Sequence, residues 1–381
     1  MSNKVRLLTD QNILIHENYI PGEIELHTFN PALGLPETVN DYDALLVRTV
    51  NRIDDTTFIG RNTNIKFIGS ATAGIDHINL PWLKKQGIKF AYSPGCNASS
   101  VGEYVAVALL CWSLKSGTDL TTLRAGIIGA GHTGTATERL LKNLSVHCVR
   151  YDPPKEALDT AFEGATLEEV LSCDILTFHT PLTYTGQWPT YHWLNREKLK
   201  NRSYQLIINA ARGGVIDEEA LQESYQQGNI NDYILDVWEH EPAFDDKVAK
   251  SAYIRTPHIA GYSIQSKQKA TRIVMGSLCK FFGIPSQGFS FTPPAPPPPE
   301  INYEYNNRDF QSLLGKLNPI FEYNRFLSSL IDLSSDEKKH QFQQIRTEFP
   351  LRHEHPYYKL DKVLLKRYPV LRALGFGIKQ D

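Results

Sequence analysis

Short apolar runs recur along the first 93 residues, at Val5–Leu8, Ile24–Leu26, Ala44–Val47, Ile65–Ile68 and Ile88–Ala91, separated by polar or helical stretches. Runs this short, apolar on both faces rather than alternating, predict strands buried within a parallel sheet. The alternation resumes at Ala125–Ile128, Val146–Tyr151, Ile175–Phe178, Leu206–Asn209 and Ile234–Asp236, with a helix predicted from Asp217 towards Gly228. That pattern predicts a second, doubly wound α/β sheet over residues 94–264. Ser100-Val101-Gly102-Glu103 reads as a capping box opening a helix that is apolar all round as far as Trp112. Such a helix is expected between domains or subunits. A further helix, Ser266–Phe282, ends at Gly283 and Pro285. It is assigned, as residues 265–284, to the first unit.

The pattern then breaks. Thr292 to Pro299 contains six prolines, cannot enter a helix or sheet interior, and favours an extended spacer over residues 285–300. Residues 301–381 read as a separate small domain with amphipathic helices at Phe310–Ile331 and Ser335–Glu348 and many aromatics. It carries no chemical motif, so association is its expected task.

Charge removes some function classes. With 40 basic and 42 acidic residues the chain has no excess to draw it to nucleic acid or to an anionic membrane. The N-terminus runs straight into a strand pattern, and the longest apolar stretch, Val105–Leu114, is too short to span a bilayer, so a cytoplasmic protein is expected. The five cysteines are scattered without CxxC spacing and read as reduced core thiols. His353-Glu354-His355 lacks further ligands and reads as a solvated loop; no metal site is expected.

The strand Ala125–Ile128 opens into Gly129-Ala130-Gly131-His132-Thr133-Gly134 and a helix to Leu144. Gly129 suits the tight turn, Gly131 the approach of a pyrophosphate, and Gly134 the packing of helix on strand. The first helical N–H groups, His132 and Thr133 among them, then face an anion. About twenty residues on, Asp152 ends the next strand, where a dinucleotide fold needs an acceptor for a ribose hydroxyl. An acid there favours NAD over NADP, although Arg150 and Lys155 stand close by. Three more residues lie at predicted strand ends and suit one another: Arg212, Glu241 and His258. A base for a hydroxyl proton, a carboxylate to orient it and a guanidinium for a substrate carboxylate are what oxidation of a 2-hydroxy acid requires. From spacing alone each of the three is better explained as a structural residue. The loop Arg48-Thr49-Val50-Asn51-Arg52 is evenly balanced, since its two guanidinium groups could bind phosphate or carboxylate or face solvent.

The glycine loop, INAARGGVID, LDVWEHEP and TPHIAGY, in that order, resemble the NAD-dependent D-2-hydroxyacid dehydrogenases. VRTVNRI, SATAGIDHIN, SPGCNASSVGEYV, YDPP, DILTFHTPL and HIAGYS match a branch of that family acting on a phosphorylated hydroxy acid, over residues 1 to about 283. The resemblance implies a Rossmann NAD domain, a flavodoxin-like substrate domain and a small C-terminal α+β dimerisation domain, hence a homodimer. It implies His258 as acid/base, Glu241 as its partner and Arg212 as the carboxylate clamp. Thr49, Thr72, Tyr262 and Arg48 would meet the substrate, and Asp152, Thr180, Ala210, Ala211, Arg212, Asp236 and Gly261 would border NAD. Two alternatives stay open: a sibling acting on 3-phosphoglycerate or an unphosphorylated D-2-hydroxy acid, and a non-catalytic NAD-sensing protein on the same fold.

Overall fold

The computed structural model describes residues 4–58, 63–301 and 310–379. The first residues of the tail, 302–309, therefore lie outside the described residues. The chain divides into two compact units, Met1–Asn97 with Ile264–Pro297, and Ala98–Ser263 with Pro298–Asp381.

In the first unit five parallel strands, β1 (Val5–Asp10), β2 (Ile24–Phe29), β3 (Ala44–Val47), β4 (Phe67–Ser70) and β5 (Lys89–Tyr92), pair in the order β2-β1-β3-β4-β5. This is the flavodoxin-like order, which reverses between β1 and β3. β1, β2 and β3 contain their expected apolar runs whole, while Ile65 and Lys66 precede β4 and Ile88 precedes β5. The helix Ile264–Phe282 returns to this unit and buries Val274, Met275, Leu278 and Cys279 in one core with Leu7, Leu46 and Phe67. The chain beyond it stays on the same unit: Phe291 is buried in that core, its N–H donates to the Tyr19 carbonyl (3.0 Å), and Gln268 reaches the Pro293 carbonyl (2.9 Å).

The second unit carries β6 (Arg124–Ile128), β7 (His147–Tyr151), β8 (Ile175–Phe178), β9 (Tyr204–Asn209), β10 (Ile230–Leu235) and β11 (Ile254–Arg255), all parallel, in the order β11-β10-β9-β8-β6-β7. The order reverses between β6 and β8, so the glycine loop that leaves β6 stands at the switch point where such sheets bind ligands. Thr166 and Glu169 form the reciprocal capping box their spacing suggests, opening the helix Leu167–Leu171.

Ser100 and Glu103 do not form one. Both lie inside the helix Ala98–Ser116: Ser100 Oγ bonds Ser263 Oγ (2.8 Å) and Glu354 (2.9 Å), and Glu103 pairs with Arg352 (2.5 Å), both partners buried. That helix is apolar on every side because it lies wholly within this unit. It packs against the glycine-loop helix His132–Asn143 and shares a core with tail residues Leu313, Leu314, Leu317, Ile320, Tyr323, Leu364 and Leu371. Composition changes at the proline run, but the core of the second unit continues across it. The stretch Phe310–Ile331 breaks at Asn318-Pro319 into the helices Phe310–Leu317 and Ile320–Ser328, since proline cannot donate to the preceding turn. A helix Ser335–Glu348 and a small parallel pair, β12 (Lys359–Leu360) with β13 (Gly377–Ile378), complete the tail. His353 and His355 are buried rather than solvated; the latter's Nδ1 pairs with the Leu374 carbonyl at 2.8 Å. The five cysteines are free thiols. Among the described residues no helix is long and apolar enough to cross a membrane.

Candidate active site

The cofactor loop is held by its own polar contacts. Asp152 follows β7; its Oδ2 accepts from the Ala130 N–H (2.8 Å), and its Oδ1 caps the next helix by accepting from Lys155 N–H (3.1 Å). Lys155 Nζ returns a bond to the Ala130 carbonyl (3.1 Å). The helix His132–Asn143 starts at Gly131 without a side-chain cap, leaving first-turn N–H groups for an anion. A Cβ at Gly134 would overlap the Gly129 carbonyl oxygen, so that close approach demands glycine, whereas a Cβ at Gly131 would meet nothing within 4 Å. Facing the turn, Thr180 follows β8 with a buried hydroxyl that has no partner among the described residues. An open loop, uncapped N–H groups and an orphan hydroxyl fit a bound dinucleotide.

Three strand ends of the same sheet carry the candidate catalytic residues. Asn209, the last residue of β9, shapes the turn that follows by accepting from Ala211 N–H (3.1 Å) and donating to the Arg212 carbonyl (3.0 Å). Arg212 Nη1 reaches the Ala211 carbonyl at 2.7 Å. A Cβ on Gly213 would run into the Trp238 carbonyl, so glycine there lets the Arg212 turn lie against the loop after β10.

In that loop Glu241 is bound from both sides. Its Oε1 accepts from Trp238 N–H (2.9 Å), and its Oε2 accepts from His258 Nδ1 (2.8 Å). Burial pushes the Glu241 carboxyl up, but His258, Arg346 and the Trp238 N–H together hold it below the ordinary carboxylate range. His258 has φ 57, a left-handed conformation costly outside glycine and recurrent at functional sites. Asp236 enforces it. The His258 N–H donates to the Asp236 carbonyl (2.7 Å), while the buried carboxylate takes the N–H groups of Ile259 (2.8 Å) and Ala260 (2.9 Å) and the Thr256 hydroxyl (2.6 Å). Gly261 and Tyr262 follow directly, and Tyr262 turns back with its N–H on the Ile259 carbonyl (2.7 Å). Its hydroxyl meets Arg346 of the tail at 3.2 Å, a residue that no motif marks. Arg212, Glu241, His258 and Tyr262 thus stand at the ends of β9, β10 and β11 of one sheet.

The remaining candidates belong to the first unit. Thr49 is exposed in the turn after β3, and Thr72 follows β4, donating to the Gly74 carbonyl (2.8 Å) beside Ser70 Oγ (2.6 Å). Arg48 Nε pairs with Asp10 at 2.9 Å, their side chains 11% and 0% exposed, and Arg52, 83% exposed, pairs with Asp54 at 2.5 Å.

Residues 109–260 match the NAD-binding domain of D-isomer specific 2-hydroxyacid dehydrogenases. Erythronate-4-phosphate dehydrogenase of Marinobacter nauticus is 34% identical over 384 aligned residues, covering 98% of this chain and 99% of its own. The chain belongs to the erythronate-4-phosphate dehydrogenase family. The enzyme of that name from Hahella chejuensis is 40% identical over 282 residues, 74% of this chain and 73% of its own. The NAD+-bound 3-phosphoglycerate dehydrogenase of Entamoeba histolytica superposes with a TM-score of 0.61 at 23% identity, over 77% of this chain and 99% of its own, a likeness of fold alone. Membership makes this dehydrogenase an NAD-dependent oxidoreductase, with NAD as its cofactor.

Proposed function

We propose that this enzyme oxidises the C2 hydroxyl of 4-phospho-D-erythronate to (R)-3-hydroxy-2-oxo-4-phosphobutanoate, a step of pyridoxal phosphate (vitamin B6) synthesis, as a cytoplasmic homodimer. The observation that carries the chemistry is the His258–Glu241 pair at 2.8 Å, set at the sheet's carboxyl end on the same sheet as the glycine loop. Glu241 engages Nδ1 of His258, which leaves Nε2 to take the hydroxyl proton. Arg212 offers a fork for the substrate carboxylate and so orients C2. NAD, when bound, accepts the hydride that leaves C2. Tyr262 contacts the substrate in this reading.

NADH formation measured across 4-phosphoerythronate, 3-phosphoglycerate, erythronate, glycerate and lactate tests it. The first should give the highest kcat/KM by at least about tenfold, since losing a charge-assisted contact costs about 1.5–3 kcal/mol. A preference for 3-phosphoglycerate would place the chain with the sibling enzyme, and NAD binding without turnover of any of them would return the sensing reading.

A further inference from the structure

A substrate with a carboxylate and a phosphate needs two cationic contacts, and the first unit has no unspent guanidinium in its candidate loop. Arg48 and Arg52 each already hold a carboxylate there. The tail carries a different kind of arginine. Arg346 lies one helical turn beyond Phe342, whose buried ring fixes that face of the helix Ser335–Glu348 against the unit's core. Its guanidinium stands 5.8 Å from the Tyr262 ring and 5.9 Å from that of Phe342, and its Nη2 donates to the Tyr262 hydroxyl at 3.2 Å. Its Nε is buried with no partner among the described residues, and no carboxylate there is in ion-pair contact with it. Glu241, whose carboxyl Arg346 helps to keep ionised, has both oxygens already bonded to Trp238 and His258.

Burial works against the Arg346 charge, and Tyr262, Glu241 and Asp236 outweigh it, yet the buried Nε–H still lacks an acceptor among the described residues, and that is a cost. An anion supplied by a ligand removes it. Tyr262, four residues past the acid/base, ties this cation to the reacting end of the sheet.

We propose that Arg346 binds the phosphate of the substrate, with Arg212 left to take the carboxylate. The inference rests on the dehydrogenase reading above. A phosphate is the better match of the two anions, since its several acceptor oxygens can meet the Nε–Nη edge as a fork. Two anchors from different elements also hold one substrate at both ends, which fixes the carbon presented to His258. The tail then becomes part of the binding site of its own chain.

The test compares kcat/KM for 4-phosphoerythronate and erythronate in the wild-type enzyme and in Arg346→Met and Arg346→Lys. It also titrates inorganic phosphate into each protein by calorimetry. Arg346→Met should cut the preference for the phosphorylated substrate by about 10- to 100-fold, mostly through KM, and abolish phosphate binding; Arg346→Lys should keep part of both. Equal losses on the two substrates, or an unaltered preference, would overturn the assignment. If Arg346→Met does not fold, as a thermal melt would reveal, the lysine variant decides: it retains charge without the fork, so an undiminished preference overturns the proposal. A wild-type enzyme indifferent to the phosphate would instead refute the substrate reading itself, whatever Arg346 does.

Discussion

Glu241 holds His258 through Nδ1 at 2.8 Å and is itself held by the Trp238 N–H at 2.9 Å, so the orientation of the imidazole is anchored in the backbone of the loop after β10. Replacing His258 with Ala should lower kcat by about 10² or more, the usual effect of losing a positioned acid/base, while NAD still binds. Glu241→Gln preserves an oxygen for Trp238 but removes the charge facing the imidazole, and should cost at least tenfold. Stopped-flow NADH formation with a parallel NAD titration measures both. Full activity in either variant would remove that residue from the chemistry.

The parts legible in the sequence are those whose partners lie close in the chain. The glycine turn needs only residues 129 to 134, and the Thr166–Glu169 box closes over three residues, so spacing carries the structure. Ser100 and Glu103 have the same spacing and a different fate, because Arg352 and Glu354 arrive from about 250 positions away to bind them. A local pattern cannot register that competition. Asp236 carries a structural task that its motif does not announce: both carboxylate oxygens are committed to shaping residues 256–260. Arg346 was out of reach for the same reason as Glu103. Its meaning comes from Tyr262, and nothing between positions 262 and 346 announces that they meet.

Asp152 does two things at once, and its replacement should show both. The carboxylate supports the Ala130 N–H and caps the helix Pro153–Leu158, leaving lone pairs for a ribose hydroxyl. Asp152→Ala should raise the NAD dissociation constant about tenfold or more and narrow the preference over NADP, because acceptor and anionic repulsion are lost together. Fluorescence titration with both nucleotides checks it. Unchanged NAD affinity would exclude Asp152 from the site.

Gly213 gives a test of the backbone rather than of a charge. A Cβ there overlaps the Trp238 carbonyl and comes within 2.8 Å of the Glu239 nitrogen, so Gly213→Ala must push the Arg212 turn away from the loop that holds Glu241. Overpacking of this kind costs about 1–3 kcal/mol, and the displaced Arg212 should raise KM for the hydroxy acid. Urea denaturation and steady-state kinetics measure the two effects. A variant with wild-type stability and KM would mean that the turn can yield without consequence.

The homodimer is tested on the tail's surface, since deleting the tail would strip the core around the helix Ala98–Ser116. Ile378 of β13, and Tyr357 and Val363 close in sequence to β12, are 41%, 51% and 57% exposed, an apolar surface another copy could cover. Changing Val363 and Ile378 together to Glu should convert a dimer to monomers by light scattering while NAD binding persists. The same mass for both proteins would move the interface elsewhere.

Glu218 makes stability depend on pH in a direction opposite to that of most carboxylates. It is buried at the start of the helix Glu218–Gln226 and accepts the Glu239 N–H at 2.7 Å. Burial raises its carboxyl most, the hydrogen bond from Glu239 opposes this, and repulsion from Glu239, Glu241 and Asp245 adds to the rise, so that it is pushed up to about 8 from an ordinary value of 4.5. Between those two values the folded protein holds a proton that the unfolded chain has released. Its contribution is therefore complete below pH 4.5 and is lost as the pH rises through about 8, with a slope of up to about 1.4 kcal/mol per unit. Glu218→Gln keeps an oxygen for the Glu239 N–H and cannot ionise. Its stability relative to the wild type should climb with pH and level off above about 8. Urea denaturation of both proteins over roughly pH 5 to 9 measures the difference. Two parallel curves would show that Glu218 does not titrate in that window.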